Sequence, residues 1–189
     1  MPIGIKKGFS LLETIIAIAI LTLAMTAVFT LVSRGIRSIS LASNEMTAYF
    51  LASEALEFIR NTRDGNLLAD DPPRDAFDPD IFAVCETFEG CVIDVHAKNN
   101  DGSIEYCSGG ICPPIRFNRE SGIYNHDPPT SANENTIFTR QLHMTCRLPC
   151  AETDPQEFEV RVVVTWQQLD APRTLRSFAL SVGLFDTAF

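Results

Sequence analysis

The chain has 189 residues, enough for one domain with a sizeable core, and its 24 acids against 15 Lys and Arg give a formal charge of −9. Past residue 7 the only lysine is Lys98. A chain this acidic disfavours nonspecific attraction to nucleic acid, which needs clustered Lys and Arg to displace counterions, and no direct nucleic-acid binding is expected.

At the N-terminus, Lys6 and Lys7 precede a run in which the first charged residue after Glu13 is Arg34. The twenty residues between, Thr14 to Ser33, are aliphatic or aromatic apart from Thr14, Thr22, Thr26, Thr30 and Ser33. As a helix this run is long enough to span a hydrocarbon core of ~30 Å. Its hydroxyls can fold back onto carbonyls of the preceding turn, so they do not argue against insertion. A secretory signal peptide and a plain signal anchor both put Lys6 and Lys7 on the cytoplasmic side. The first wants a shorter apolar core followed by a cleavage site, and "SRGIRSIS" offers only weak candidates. The second gives no reason for Glu13, since an acid in hydrocarbon costs a few kcal/mol even on lenient scales.

The stretch "KKGFSLLE" before an apolar run resembles the processing site of type IV prepilins and type II secretion pseudopilins. The resemblance implies that a prepilin peptidase cuts after Gly8 and methylates the new terminus at Phe9, and that Glu13 is the assembly acid. It further implies other pilin or pseudopilin subunits, an inner-membrane assembly platform, and membrane lipid before assembly as partners. The cut would leave a cationic amine at Phe9, which a Glu13 carboxylate on an adjacent subunit could pair in a low-dielectric helix bundle. Removing Lys6 and Lys7 would take the charge from −9 to −11.

Past Arg34 the helical pattern continues but becomes one-sided, with Ile36, Ile39, Ala42, Met46, Tyr49, Ala52, Leu56 and Ile59 at steps of three or four. Gly35 is a candidate bend. Glu57 and Arg60 are read as a solvated pair. Arg60 and Arg63 are expected in the last turn, with Gly65 as the left-handed cap and Pro72 and Pro73 forbidding resumption. The segment "AYFLASEALEFIRNTRD" looks like the corresponding helix of minor pilins and type II secretion initiation subunits. Thr30 stands where many major pilins carry a helix-breaking proline.

The acid- and proline-rich stretch "NLLADDPPRDAFDPD" reads as a solvated loop. Some pseudopilins hold calcium in such a loop, but this one lacks the alternating oxygen ligands and glycine of an EF-hand. The segments "CVIDVHA", "IRFNRESGIYNH" with a turn near Ser121 and Gly122, "TIFTRQLHMTCRL", "EFEVRVVVTWQQL" and "TLRSFALSVGLF" read as strands, the last two joined by a turn at "DAPR". In the fourth, Val160, Val162, Val164 and Trp166 form the face that packs.

The six cysteines, Cys85, Cys91, Cys107, Cys112, Cys146 and Cys150, suggest disulfides. Fifteen pairings are possible. The preferred set joins sequence neighbours, Cys85 to Cys91, Cys107 to Cys112 and Cys146 to Cys150, because "CSGGIC" and "CRLPC" contain turn-forming residues and small loops have little closure entropy to overcome. Zinc is the rival, disfavoured because no CxxC spacing is present and His96, His126 and His143 are scattered. No Gly-x-Ser-x-Gly, HExxH or phosphate loop occurs, so neither an enzyme nor a cofactor or resident metal is expected.

The expected fold is α+β, a long N-terminal helix packed on an antiparallel β-sheet head. Residues 1–8 would be a leader, 9–33 the membrane and filament-core helix, 34–64 the amphipathic spine, and 65–189 the β-rich head. The resemblance places the head outside the inner membrane, then in a surface or periplasmic filament, as a minor pilin or pseudopilin. The alternatives are an anchored binding or adhesion protein that does not polymerise, and an anchored enzyme.

Overall fold

A computed structural model of the chain describes residues 8, 10–68, 77, 83–97, 103–147, 157–168 and 174–185. One long helix, α1 (Leu11–Leu67), is followed by seven strands: β1 (Cys91–Asp94), β2 (Ser103–Tyr106), β3 (Pro114–Asn118), β4 (Ile123–Asn125), β5 (Asn133–Arg147), β6 (Glu157–Gln168) and β7 (Thr174–Phe185). The chain divides into two compact units, Met1–Asn44 and Glu45–Phe189.

In the first unit the described residues are helical from Leu11 on, and the apolar side chains of the run are exposed throughout. The hydroxyls of Thr14, Thr22, Thr26 and Thr30 donate to the carbonyls of Leu11, Ala19, Leu23 and Ala27 at 2.8 to 2.9 Å. These four hydroxyls are thus consumed within the helix, leaving a mostly apolar exterior. Thr30 sits in unbroken helix, as does Gly35.

In the second unit the sheet is antiparallel at every pairing. Strand β5 organises it. One of its edges pairs with β6 from Phe138↔Trp166 to Arg147↔Glu157. Its other edge is shared, with β3 along its first half and β1 at Leu142. Strands β2, β4 and β7 extend the sheet from β1, β3 and β6. The β3–β4 turn uses Gly122 at φ 72°, while the Asn118 side chain accepts from the Glu120 and Ser121 amides.

Period-two burial along β6 puts Phe158, Val160, Val162, Val164 and Trp166 in the core. The helix answers with Ala48, Leu51, Ala52, Ala55, Leu56 and Ile59. This differs in phase from the stripe the sequence suggested. Ala52, Leu56 and Ile59 are shared, but Met46 is 58% and Ile39 72% exposed. The reason is volume, since Ala48, Ala52 and Ala55 let the helix approach the bulky Val and Trp side chains of β6, while Tyr49 packs edge-on against Phe178 of β7 with ring centroids 5.8 Å apart. The helix end also differs. Gly65 is helical rather than a left-handed cap, and α1 runs on to Leu67 with no basic residue in its last turn.

Cys85 is bonded to Cys91 and Cys107 to Cys112. Cys146 is also in a disulfide, and its expected partner Cys150 lies outside the described residues. So do the "DAPR" turn and most of the acidic stretch read as a solvated loop, although Phe77 from that stretch is buried with its ring 4.8 Å from that of Phe158.

The packing yields a contrast within one helix. Ile59→Ala should destabilise the second unit by about 2 to 5 kcal/mol through the cavity it leaves. Ile39→Ala should change stability by less than about 0.5 kcal/mol. Denaturant unfolding of the full-length protein in detergent checks both.

Candidate functional site

Two places in the chain concentrate chemistry: the start of α1 and a buried polar cluster in the second unit. At the first, the Ser10 carbonyl accepts from the Glu13 amide at 3.0 Å and the Thr14 amide at 3.2 Å, opening the helix. Glu13 therefore stands in the first turn, where a carboxylate complements the positive end of the helix dipole. It is exposed among exposed Leu11, Leu12, Ile15 and Ile16. Gly8 is exposed too, and a Cβ added there would meet nothing within 4 Å. The fold itself has no steric need for glycine at that position. Phe9 lies outside the described residues.

At the second place, Arg140 of β5 is 3% exposed and donates to the Leu51 carbonyl at 2.9 Å, to Glu54 Oε2 at 2.8 Å and to the Ile93 carbonyl. His96 Nε2 lies 3.2 Å from Glu54 Oε1. Asp94, also buried, accepts the His96 and His126 amides, and Arg116 donates to the carbonyls of His126 and Asp127. Burial, reinforced by the charges of Arg140 and Arg116 against the opposing Asp94, lowers the His126 pKa to about 4. Burial and then Arg161 lower that of His143. The cluster ties α1 to β1 and β5, while among the described residues Arg140 Nε and both ring nitrogens of His126 are buried without a hydrogen-bond partner. Among the described residues no group of three His, Cys, Asp or Glu is placed to hold a metal ion.

Sequence reasoning singled out Gly8, Phe9 and Glu13 but missed Arg140. A signal was available. In "FTRQLHM" the residues Phe138, Leu142 and Met144 share a parity, and Arg140 falls on the same inward face.

Residues 5–32 match the family described as the prokaryotic N-terminal methylation motif, the signature of type IV pilins and pseudopilins. The motif is that of a type IV pilin- or pseudopilin-like precursor, and the exposed apolar helix is long and apolar enough to cross a membrane once. They imply processing by a prepilin peptidase and assembly with other pilins. No curated protein and no solved structure matches the chain.

The His126 shift sets a pH dependence. Its folded pKa lies below the usual 6.5, so the unfolded chain takes up the proton first as pH falls. Stability is full above about pH 6.5, declines toward pH 4 and levels off below, by about 3 kcal/mol in all. His126→Gln should flatten that part of the profile, as read by thermal melts from pH 7 to pH 4.

Proposed function

We propose that the protein is a minor pilin or pseudopilin, cut after Gly8, methylated at Phe9, and assembled through α1 into a type IV pilus or type II secretion-like filament. The observation that carries this reading is Glu13, a carboxylate exposed on the apolar face of a helix within the methylation motif. Burial of such a group in lipid or in a bundle needs a counter-charge, and the amine freed at Phe9 is four residues away in sequence. Pairing between the Phe9 amine of one subunit and Glu13 of a neighbour offsets both burial costs and favours assembly in register.

On this reading residues 1–8 are the leader, 9–33 the membrane and then filament-core segment, 34–64 the helical spine, and 65–189 the extracytoplasmic head. The unbroken helix through Thr30 supports a subunit whose α1 does not melt at the position where many major pilins carry proline. Lipid and the inner-membrane assembly platform are the partners before incorporation. The anchored adhesin remains the competing reading, and it predicts no dependence on Glu13.

Mass spectrometry of the protein from cells with the peptidase should find methylated Phe9 as the N-terminus. Because nothing in the fold occupies the space beside Gly8, Gly8→Ala should slow or block the cut without lowering the melting temperature. An intact Met1 in such cells would sink the proposal.

Glu13→Val should leave cleavage and membrane retention intact while incorporation fails, since an unpaired buried amine costs about 3 to 5 kcal/mol. The measurement is recovery of the variant with sheared filaments beside the wild type. Equal recovery would remove Glu13 from assembly.

A further inference from the structure

The two described disulfide loops, 85–91 and 107–112, meet at one end of the β1–β2 pair. Cys91 faces Tyr106 across the ladder, and the Cys107 amide donates to the Gly90 carbonyl at 3.3 Å. Glu89 bridges the loops, its carboxylate accepting the Gly109 amide at 3.2 Å. Beneath them Val92, Cys107 and Cys112 form a small core of their own. Gly90, at φ 69°, lies so close to β5 that a Cβ would come within 2.7 Å of the Leu142 carbonyl oxygen. The surface is therefore held rigid by two covalent bonds, a bridging carboxylate and a tight backbone contact.

Against that rigidity, its large apolar side chains face solvent. Phe88 is 98% exposed, Ile111 78% and Tyr106 51%. Single exposed apolar residues need no explanation, but Phe88 and Ile111 on adjacent cross-linked loops, with Tyr106 at the end of β2 beside them, are fixed so that their ordering entropy is lost at folding and not at binding. Residues 83–97 and 103–113 hold no Lys or Arg, and of their acids Glu86 and Glu105 are exposed, Glu89 is half-buried and Asp94 is buried. Arg161, which lines a groove with Phe88 and Glu86, leaves the rim net negative.

We propose that the paired disulfide loops are a docking surface for a partner protein whose contact face is apolar at its centre and bordered by Lys or Arg. The acidic rim repels the same surface on a second copy, and it repels anionic lipid and nucleic acid. The surface lies in the second unit, and the proposal does not depend on the Gly8 cut.

The test places a photo-crosslinking amino acid at Phe88, at Ile111 and, as a control, at Leu175, which is 75% exposed on β7. The full-length protein is irradiated in its own cells, the adduct identified by mass spectrometry, and that partner purified and titrated. One protein should be captured from Phe88 and Ile111 but not from Leu175. Its Kd should weaken at least ~10-fold for Phe88→Ser with Ile111→Ser, and similarly for Glu86→Lys with Glu105→Lys, with unchanged melting temperatures. Added salt should weaken binding to the wild type more than to the charge-reversed variant. No adduct, an adduct equally strong from Leu175, capture of a second copy, or a partner indifferent to either double variant would overturn the proposal.

Discussion

A guanidinium withdrawn from water must find its hydrogen bonds within the protein, and Arg140 satisfies its two terminal nitrogens only if three parts of the chain arrive together. It needs the Leu51 carbonyl and Glu54 carboxylate from α1, the Ile93 carbonyl from β1, and its own place on β5. Removing partners from a buried charge is far more costly than never burying it. The arginine therefore penalises any arrangement in which the helix slips along the sheet, whereas apolar contacts among Ala, Val and Leu tolerate sliding more readily. The alanine seam then sets how closely helix and sheet approach, and the guanidinium sets where.

The two halves of α1 answer to different solvents. From residue 45 onward one stripe meets β6 and the remaining faces carry groups such as Glu57 and Arg60, paired at 3.4 Å in the exposed i,i+3 geometry that contributes little to stability. Before residue 34 there is no such division, because apolar side chains stand on every face and the hydroxyls are turned onto the backbone. Such a surface calls for hydrocarbon or for other helices around it. Glu13 is the one carboxylate in that stretch, and its chemistry is intermolecular on the proposed reading.

Much of this architecture was legible from residue order. Strands β1 and β3 to β7 announce themselves by alternation and β-branched content, and the packed face of β6 follows from parity alone. Strand β2 does not. "SIEY" is four residues long with two of them exposed, and it is held by its ladder with β1 rather than by a buried face of its own. The phase of the helix was likewise ambiguous, because Met46, Tyr49 and Ile39 are as apolar as the residues that won. Choosing between faces required the shape of the opposing sheet, which a helical period does not carry. The motif residues were readable because their constraint is local in sequence. The contacts of Arg140 and Glu54 join positions 42 to 89 residues apart, a relation that only the folded topology reveals.

The disulfides bear on the order in which the head forms. The two described bridges join cysteines six and five residues apart, whereas the β1–β5 contact brings together residues 51 apart. Closing a loop of that small size takes on the order of tens of nanoseconds, so correct partners collide before the sheet exists. Oxidation of these pairs can thus run ahead of the slow long-range strand pairing, and can remove from competition many of the cross-pairings that six cysteines allow. A head made in this way reaches its difficult step, assembly of β5 between β1, β3 and β6, with those thiols already committed. Redox quality control for these loops then becomes a matter of how fast neighbours are oxidised rather than of repeated reshuffling.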